Sequence, residues 1–517
     1  MKNTFYITTA IAYPNANPHI GFAYELFFAD VIARHRRIKG MDVYFTTGMD
    51  EHGMKIARAA KDVGISTKAF VDKKAESFKE LDEMLNISYD FFVRTSSKKN
   101  HWPGVELLWK KLVESGDIYK KIYVGLYCVG CEKFYTEKEL VDGLCPDHNK
   151  APEIVEEENY FFKLSRYTDE IKEKIESKEL LITPLSARNE ILALLNEGLE
   201  DVSFSRKKES VLWGIPVPGD DSQLMYVWCD ALSNYITALG YGTDDDENFK
   251  KFWPAQAHVI GKDILRFHAA IWPAMLISAG LPLPEEILVH GFLTSDGKKM
   301  SKSIGNVVDP KEYIKEFGID AVRYFLGREV NPFADSDFTR EKFIEAYNAN
   351  LANGLGNLVS RSLKMINTYF DGVLKKESDV SVPMNNHISG ITEKEKIEGW
   401  SVSYAVNHIF IPKYQDAMEA YEINKALDVV WELISALDHY VSDYEPYKLI
   451  KDDKEKTAQV LWALMYGLNY VALMIEPAMP DTSKKIKDLL GVTLDENKEL
   501  ISFKTKELTE PLFRRIE

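Results

Sequence analysis

Three groups of residues in this 517-residue chain have types and spacings suited to chemistry. The first is the stretch from Tyr13 to Ala23, YPNANPHIGFA, which sets His19 and Gly21 between an apolar run, TFYITTA, and a helical pattern from Phe22 to Ile38. The run reads as a buried strand and the pattern as a helix that Gly40 can close, so His19 and Gly21 fall at a strand-to-helix turn. Such a turn favours anions: backbone N–H groups at a helix start are unpaired, the helix dipole is positive there, and Gly21 has no side chain to keep a phosphate away. The second group is KMSKS, Lys299 to Ser303, after a predicted strand from Ile287 to His290 and the loop GFLTSDGK; it gathers Lys298, Lys299 and Lys302 among small polar residues. The third is a pair of cysteine turns. Cys128 and Cys131 form CxxC, and after thirteen intervening residues Cys145 and His148 form CxxH, with Gly130 and Pro146 inside the turns. That is the spacing of a tetrahedral zinc knuckle, and four protein ligands leave no open position, so a bound Zn2+ is expected to be structural. Each group also has an ordinary reading. PHIG alone is a turn containing a histidine, a lysine run is usually a solvated face, and paired CxxC and CxxH can be chance turns holding reduced cysteines. The remaining cysteine, Cys229, sits in the apolar MYVWCDA and reads as a small buried hydrophobe.

The elements that must position these groups form an α/β core. Val43 to Thr47 reads as a second strand ending in GMDEHG, which completes a βαβ unit with polar residues at the strand ends, where open parallel sheets bind ligands. Residues 66–116 read as a helical region, and an insertion runs from there to about Ser222. It holds EIVEEEN, two helical patterns and SFSRKKESVLWGIPVPG, whose prolines and glycine mark a return to the core. Val227 to Tyr235 opens the second half of the core. Ala257 to Ile260 is a predicted strand, Gly261 its turn, and Asp263 the cap of a helix reaching about Ser278. On that helix Ile264, Phe267, His268, Ile271, Trp272 and Met275 share one face. By periodicity alone this is a core helix and His268 a satisfied core histidine. From about Thr339 the chain reads as helices, with apolar periodicity over 348–365, 416–440 and 458–475, a bundle punctuated by turns such as Glu445-Pro446.

Composition bounds the answer. Hydrophobic content of 45% and charged content of 28% are those of a globular protein with several structural units. No apolar run of membrane-spanning length and no signal peptide stand out, so a cytoplasmic protein without membrane contact is expected. The net charge of −16 argues against broad, nonspecific nucleic-acid binding but leaves room for a local basic path. Four cysteines in so long a chain do not make a disulfide framework.

The order of PHIG and KMSKS, their strand-end settings and the interrupted sheet together resemble the class I aminoacyl-tRNA synthetases. Within that class the chain resembles the methionyl-tRNA synthetase family over nearly its whole length, through ITTAIAYPNANPHIG, GMDEHG, the knuckle, YVWCDA, GKDILRFHAAIWPAML, HGFLTSDGKKMSKS and the helical tail. The resemblance implies a Rossmann-type doubly wound parallel sheet over 1–116 and 223–290, a zinc-knuckle insertion over 117–222, a loop and stem-contact fold over 291–338, and an α-helical anticodon-binding domain over 339–517. It implies ATP positions at His19, Gly21, Gly261, Asp263, Lys299 and Lys302, with Asp263 on the ribose. It places methionine among Ile11, Tyr13, Trp228, Tyr235, Phe267, His268 and Trp272, with Asp50 on the ammonium group and Arg206 helping to order Asp50. A soft thioether suits such an aromatic pocket. Anticodon contacts fall on Asn357, Arg361 and Tyr447, the last where the family usually has tryptophan. The implied partners are L-methionine, ATP with Mg2+, and initiator and elongator methionine tRNA. Because the chain ends soon after the bundle, a monomer is expected. One departure stands out: Phe22 occupies the place of the family's usual second histidine, so one phosphate donor is missing. A synthetase for another apolar amino acid and an inactive zinc-containing tRNA-binding homologue are the alternative readings.

Overall fold

The computed structural model describes residues 3–14, 18–131, 133–135, 137–147, 149–300, 306–376 and 401–516. They divide into two compact units, Met1–Phe292 and Leu293–Glu517. The first is built on a six-stranded sheet of β1 (Thr4–Thr9), β2 (Asp42–Met49), β3 (Phe91–Arg94), β4 (Leu181–Thr183), β5 (Ala257–Gly261) and β6 (Glu286–His290). Its spatial order is β3-β2-β1-β5-β6-β4, and every neighbouring pair is parallel. The order reverses between β1 and β5, and the crevice beyond the carboxyl ends of strands at such a switch point is where ligands bind in open α/β sheets. Apolar residues continue along these strands because both faces are covered, as parallel sheets require. The helix after β1, α1 (Ile20–Ile38), is buried on nearly every side, with Phe27, Phe28, Leu26 and Val31 at 1% exposure or less. Each such side chain contributes about 1.5–3 kcal/mol relative to exposure.

Two strands are not legible in the sequence. Phe91–Arg94 breaks the expected 66–116 helical region into Thr67–Met84 and Trp102–Glu114, and it extends the sheet beyond β2. Leu181–Thr183, inside the expected insertion, pairs with β6 and closes the opposite edge. Strands of three or four residues carry too little alternation to register as a period. The rest of the insertion holds an antiparallel sheet around a long ribbon, Ile118–Cys128 against Glu153–Phe162, with Cys128 at its tip, and the two expected helices, Thr168–Glu176 and Leu185–Glu197. The helix expected from Asp263 to Ser278 is also irregular: a 3₁₀ turn over Lys262–Ile264, wide π turns over Phe267–Ile271, then α-helix Trp272–Ser278. Asp263 lies inside the first turn and caps nothing.

The second unit opens with a three-stranded sheet of Leu293–Ser295, Lys298–Lys299 and Ser336–Asp337. The hairpin turn Asp296-Gly297 has positive φ at both residues, as a two-residue turn of this twist demands. Asp337 fastens it, its Oδ1 accepting from the Gly297 N–H and the Thr294 hydroxyl, both at 2.8 Å. Helices follow, with Tyr347–Gly356 in wide π turns leading into Asn357–Phe370, then Ile411–Glu419, Ile423–Tyr444, Lys454–Ile475 and Pro480–Leu490. The expected helix over 416–440 is therefore two helices broken at 420–422. Against the expectation of no membrane-length apolar run, Lys454–Ile475 is long and apolar enough to cross a membrane. Its Val460, Leu464, Leu468 and Val471 are fully buried within the helical unit. The fully buried Arg323 donates to the carbonyls of Pro477 and Ala478, just past the end of that helix. A small sheet of Val373–Lys375, Leu500–Lys504 and Val492–Leu494, not foreseen in the sequence, finishes the unit.

Candidate active site

The site grows from the ends of β1, β2, β5 and β6. His19 is the N-cap of α1, and its Nδ1 accepts the Gly21 N–H at 3.1 Å. Nδ1 therefore acts as acceptor, and the neutral ring carries its proton on Nε2, where it can be donated outward. Burial holds the His19 pKa below the ordinary histidine value, which favours that neutral form. A Cβ on Gly21 would lie 3.0 Å from His19 Cε1, so the glycine makes room for the imidazole itself. No acidic residue occupies the first turn of α1, and the positive end of its dipole stays uncompensated there. Phe22 turns away from this anion site and packs edge-on against Phe78, ring centroids 5.0 Å apart, in a cluster with Met49, Ile56 and Phe70.

Beyond the ends of β1 and β2 lies a cavity of about 190 Å³. Ile11, Tyr13, Asp50, Trp228, Tyr235 and His268 line it, so six of the nine residues expected around methionine come together there. It is smaller than the roughly 300–1,000 Å³ of drug-sized sites and fits one side chain. Phe267 is not in the lining; it stacks behind Trp228 at 3.6 Å with planes 7° apart. Trp272 lies deeper, fully buried, its indole N–H donating to His258 Nε2 at 3.3 Å. His268 donates from Nδ1 to the Ile264 carbonyl at 2.9 Å and accepts the Tyr235 hydroxyl on Nε2 at 2.6 Å. Burial pushes its pKa down to about 4, so the ring is neutral and the polar floor of the cavity is uncharged. Arg206 lies outside the described lining: its guanidinium pairs with Glu157 at 2.8 Å and covers the Tyr127 ring at 4.1 Å, within the insertion.

Asp50 is the acid at the cavity, held by the Asp50 N–H to Ala12 carbonyl bond of 2.9 Å. The next residue, Glu51, receives Arg94 at 2.6 Å and the Ser96 hydroxyl, and its carbonyl accepts the Trp213 indole at 2.7 Å. His52 Nδ1 meets Asp230 at 2.5 Å, and His101 Nε2 meets the other oxygen of Asp230 at 2.7 Å. Burial opposes the Asp230 carboxylate, yet the two imidazoles hold it below the usual range. At the end of β5 stand Gly261 and Asp263, two of the expected ATP positions. A Cβ on Gly261 would sit 2.9 Å from Asp263 Oδ1, so only glycine allows that carboxylate to lie against the strand end. Behind them His290 Nε2 contacts Glu25 Oε2 at 2.9 Å, both buried. Burial raises the Glu25 carboxyl; it would lower His290, but the neighbouring Glu25 lifts the imidazole above its ordinary value, so the pair holds a proton tightly. Glu25, His290, Asp230, His52 and His101 were not found from the sequence. The contacting pairs are 129 to 265 residues apart, and no local spacing announces them.

The knuckle reaches the same cavity: Gly130 and Cys131 are in its lining, and Lys55 donates to the Gly130 carbonyl at 3.2 Å. The thiols of Cys128, Cys131 and Cys145 lie within 4.8 Å of one another, which fits three ligands of one tetrahedral metal ion. His148, the fourth expected ligand, lies outside the described residues, as does Lys302; of Lys299 only the backbone is described, paired with Thr294 in the hairpin. In the second unit Asn357 and Arg361 stand one helical turn apart and exposed. Arg361 pairs with Asp438, and its charge lowers the pKa of Tyr447, which the Glu445 carboxylate chiefly raises.

Comparisons with known proteins identify the family. The family model described as tRNA synthetases class I (M) matches residues 5–151 and 148–363, and that of the anticodon binding domain of methionyl tRNA ligase matches 402–510. A methionine–tRNA ligase of Caldanaerobacter subterraneus subsp. tengcongensis is 46% identical over 498 residues, 96% of this chain and 75% of the relative. One from Brucella suis biovar 1 is 42% identical over 96% of this chain and 93% of its own length. The structure of Mycobacterium tuberculosis methionyl-tRNA synthetase in complex with methionyl-adenylate superposes with a TM-score of 0.91 at 37% identity, covering 100% of both chains. The free form of that enzyme gives 0.84 at 34% identity, covering 100% of this chain and 99% of the other. With half its length and more matched by the class I model and its relatives aligned almost end to end, the chain belongs to the methionine–tRNA ligase family of the class I tRNA synthetases.

Proposed function

We propose that this chain activates L-methionine with ATP to methionyl-adenylate and transfers the methionyl group to the 3′-terminal adenosine of methionine tRNA, both initiator and elongator. The observation that carries the reading is the cavity in which one buried acid, Asp50, shares the lining with an uncharged aromatic wall of Trp228, Tyr235 and His268. An amino acid with an ammonium group and a soft, uncharged side chain suits that wall, because a thioether makes favourable contacts with ring edges. The methionine carboxylate then attacks the α-phosphorus in line, the bond to the bridging oxygen breaks, and pyrophosphate leaves. His19 Nε2–H and the free N–H groups of the first turn of α1 stabilise the developing phosphate charge, joined by Lys299 and Lys302; Gly261 and Asp263 receive the ribose. The protein aligns reactants and stabilises charge rather than forming covalent bonds. In the second step the terminal ribose hydroxyl attacks the adenylate carbonyl and AMP departs.

Mg2+ enters with ATP and neutralises its phosphates. Zn2+ held by Cys128, Cys131, Cys145 and His148 shapes the insertion; burial pushes the Cys131 thiol up from its ordinary value, and a bound cation reverses that tendency. Anticodon bases are met by Asn357, Arg361 and Tyr447, by stacking and edge hydrogen bonds. A cytoplasmic monomer completes the proposal. Methionine-dependent ATP–pyrophosphate exchange, followed by charging of purified methionine tRNA, is the test. Exchange driven equally well by leucine or isoleucine overturns the choice of amino acid, and tRNA binding without any exchange supports the inactive homologue instead.

A further inference from the structure

We infer that Asp230, gripped by His52 and His101, is a positioning residue that fixes the acid side and the aromatic side of the amino-acid pocket relative to each other. The inference rests on the reading of that cavity as the amino-acid site. Asp230 is 1% exposed and both its oxygens are engaged, Oδ2 by His52 Nδ1 at 2.5 Å and Oδ1 by His101 Nε2 at 2.7 Å. His101 uses its other nitrogen on the Thr237 hydroxyl, also at 2.7 Å. The four groups come from four pieces of chain: the loop after β2, the N-cap of helix Trp102–Glu114, and the short helices Val227–Leu232 and Asn234–Thr237.

Three of the four stand two positions after a pocket residue. His52 follows Asp50, Asp230 follows Trp228, and Thr237 follows Tyr235, all three pocket residues lining the cavity. Fixing the clamp therefore fixes the distance between the acid and the two rings. The His52 ring is itself flanked by Trp102 and Trp213, with centroids at 6.2 and 5.7 Å, which bars it from swinging out of the clamp. A buried carboxylate between two imidazoles is a poor device for stability, since apolar residues of similar volume often do as well. It is a good device for geometry, because each hydrogen bond has one direction and leaving one unmade strands a buried charge.

The test is steady-state ATP–pyrophosphate exchange, with KM for methionine and for ATP measured separately and thermal unfolding recorded for each variant. His52→Ala is expected to raise the methionine KM by about tenfold to a hundredfold while the ATP KM stays within about twofold, since a small misplacement of pocket groups costs that much. His52→Asn keeps an N–H donor near the place of Nδ1 and is expected to bring the methionine KM back to within about threefold of the parent. Thr237→Val removes only a hydroxyl and is expected to raise the same KM about threefold, which keeps the inference testable should His52→Ala fail to fold. The inference is overturned if the methionine KM is unmoved in His52→Ala and Thr237→Val, if both KM values rise in parallel, or if Asn at 52 is as poor as Ala. Absence of exchange in the parent chain refutes the reading of function instead, and equilibrium dialysis of labelled methionine against the same variants then decides the clamp.

Discussion

On the proposed reading, the cavity beside Asp50 and the helical-unit residues Asn357, Arg361 and Tyr447 would solve recognition in opposite ways. In the pocket the polar groups are buried and engaged before any ligand arrives: Asp50, Asp230, His52 and His268 are all at 8% exposure or less. On the helical face Tyr447 is 47% exposed, and its hydroxyl donates to Glu445 at 3.0 Å. Arg361 is half exposed and paired with Asp438 across the surface. Exposed ion pairs contribute little, typically below about 1 kcal/mol, and are readily exchanged for another partner. A small substrate must be selected by a preorganised cavity, because its few atoms supply little binding energy to reshape one. An RNA loop brings many contacts, so its reader can remain on the surface and rearrange.

That contrast can be broken by experiment. The largest effect is expected from Lys302→Ala: with Phe22 turned into an apolar cluster, the phosphate charge depends more on the loop lysine, His19 and the helix start. Removing one such donor typically costs on the order of 10² to 10³ in rate, so pyrophosphate exchange should fall by that much while methionine dialysis is nearly unchanged; a loss below tenfold shows that Lys302 is not compensating. Next comes Tyr447→Ala. Stacking on a base is worth roughly 1–3 kcal/mol, so aminoacylation should drop about tenfold to a hundredfold with exchange untouched. Should charging be unaffected, and Tyr447→Trp bring no gain, anticodon reading lies elsewhere on the bundle.

Zinc tests whether the knuckle belongs with the preorganised pocket. Elemental analysis of protein purified without chelator should find one equivalent. Because Gly130 and Cys131 line the cavity, Cys145→Ala should raise the methionine KM by about threefold to tenfold as well as loosening the insertion. An unchanged KM in metal-free protein separates the knuckle from the pocket.

The smallest effect concerns a buried acid with no such role. Asp82 is 1% exposed, its carboxylate has no hydrogen-bond partner among the described residues, and burial first, then Glu83, raises its pKa from 3.8 to about 8. Below the lower value both folded and unfolded chains hold the proton. Between the two values only the unfolded chain ionises, so stability falls as pH rises, and above the higher value the loss is complete. Asp82→Asn should therefore stabilise the first unit by about 1–3 kcal/mol at pH 8 and by almost nothing at pH 4, read from denaturant midpoints, with exchange activity unchanged. Equal midpoints at both pH values would assign Asp82 a partner.

Much of this molecule follows from local sequence. The strand–turn–helix at His19, the strands at 43–47, 257–260 and 287–290, and the cysteine knuckle each carry their signal within a few residues, as apolar runs, turn residues and ligand spacing. Six of the nine expected pocket residues meet in one cavity because they sit at the ends of those elements. What sequence could not decide was pairing across distance. Leu181–Thr183 became the sheet edge because β6 had an open side, and the two short edge strands have no period to read. Asp230 found His52 and His101, and Glu25 found His290, only because packing brought separate segments together and left buried charges that had to be satisfied. The side chains that line the cavity lie at the ends of local elements, whereas the groups holding them in place are chosen by neighbours that exist only in the folded chain.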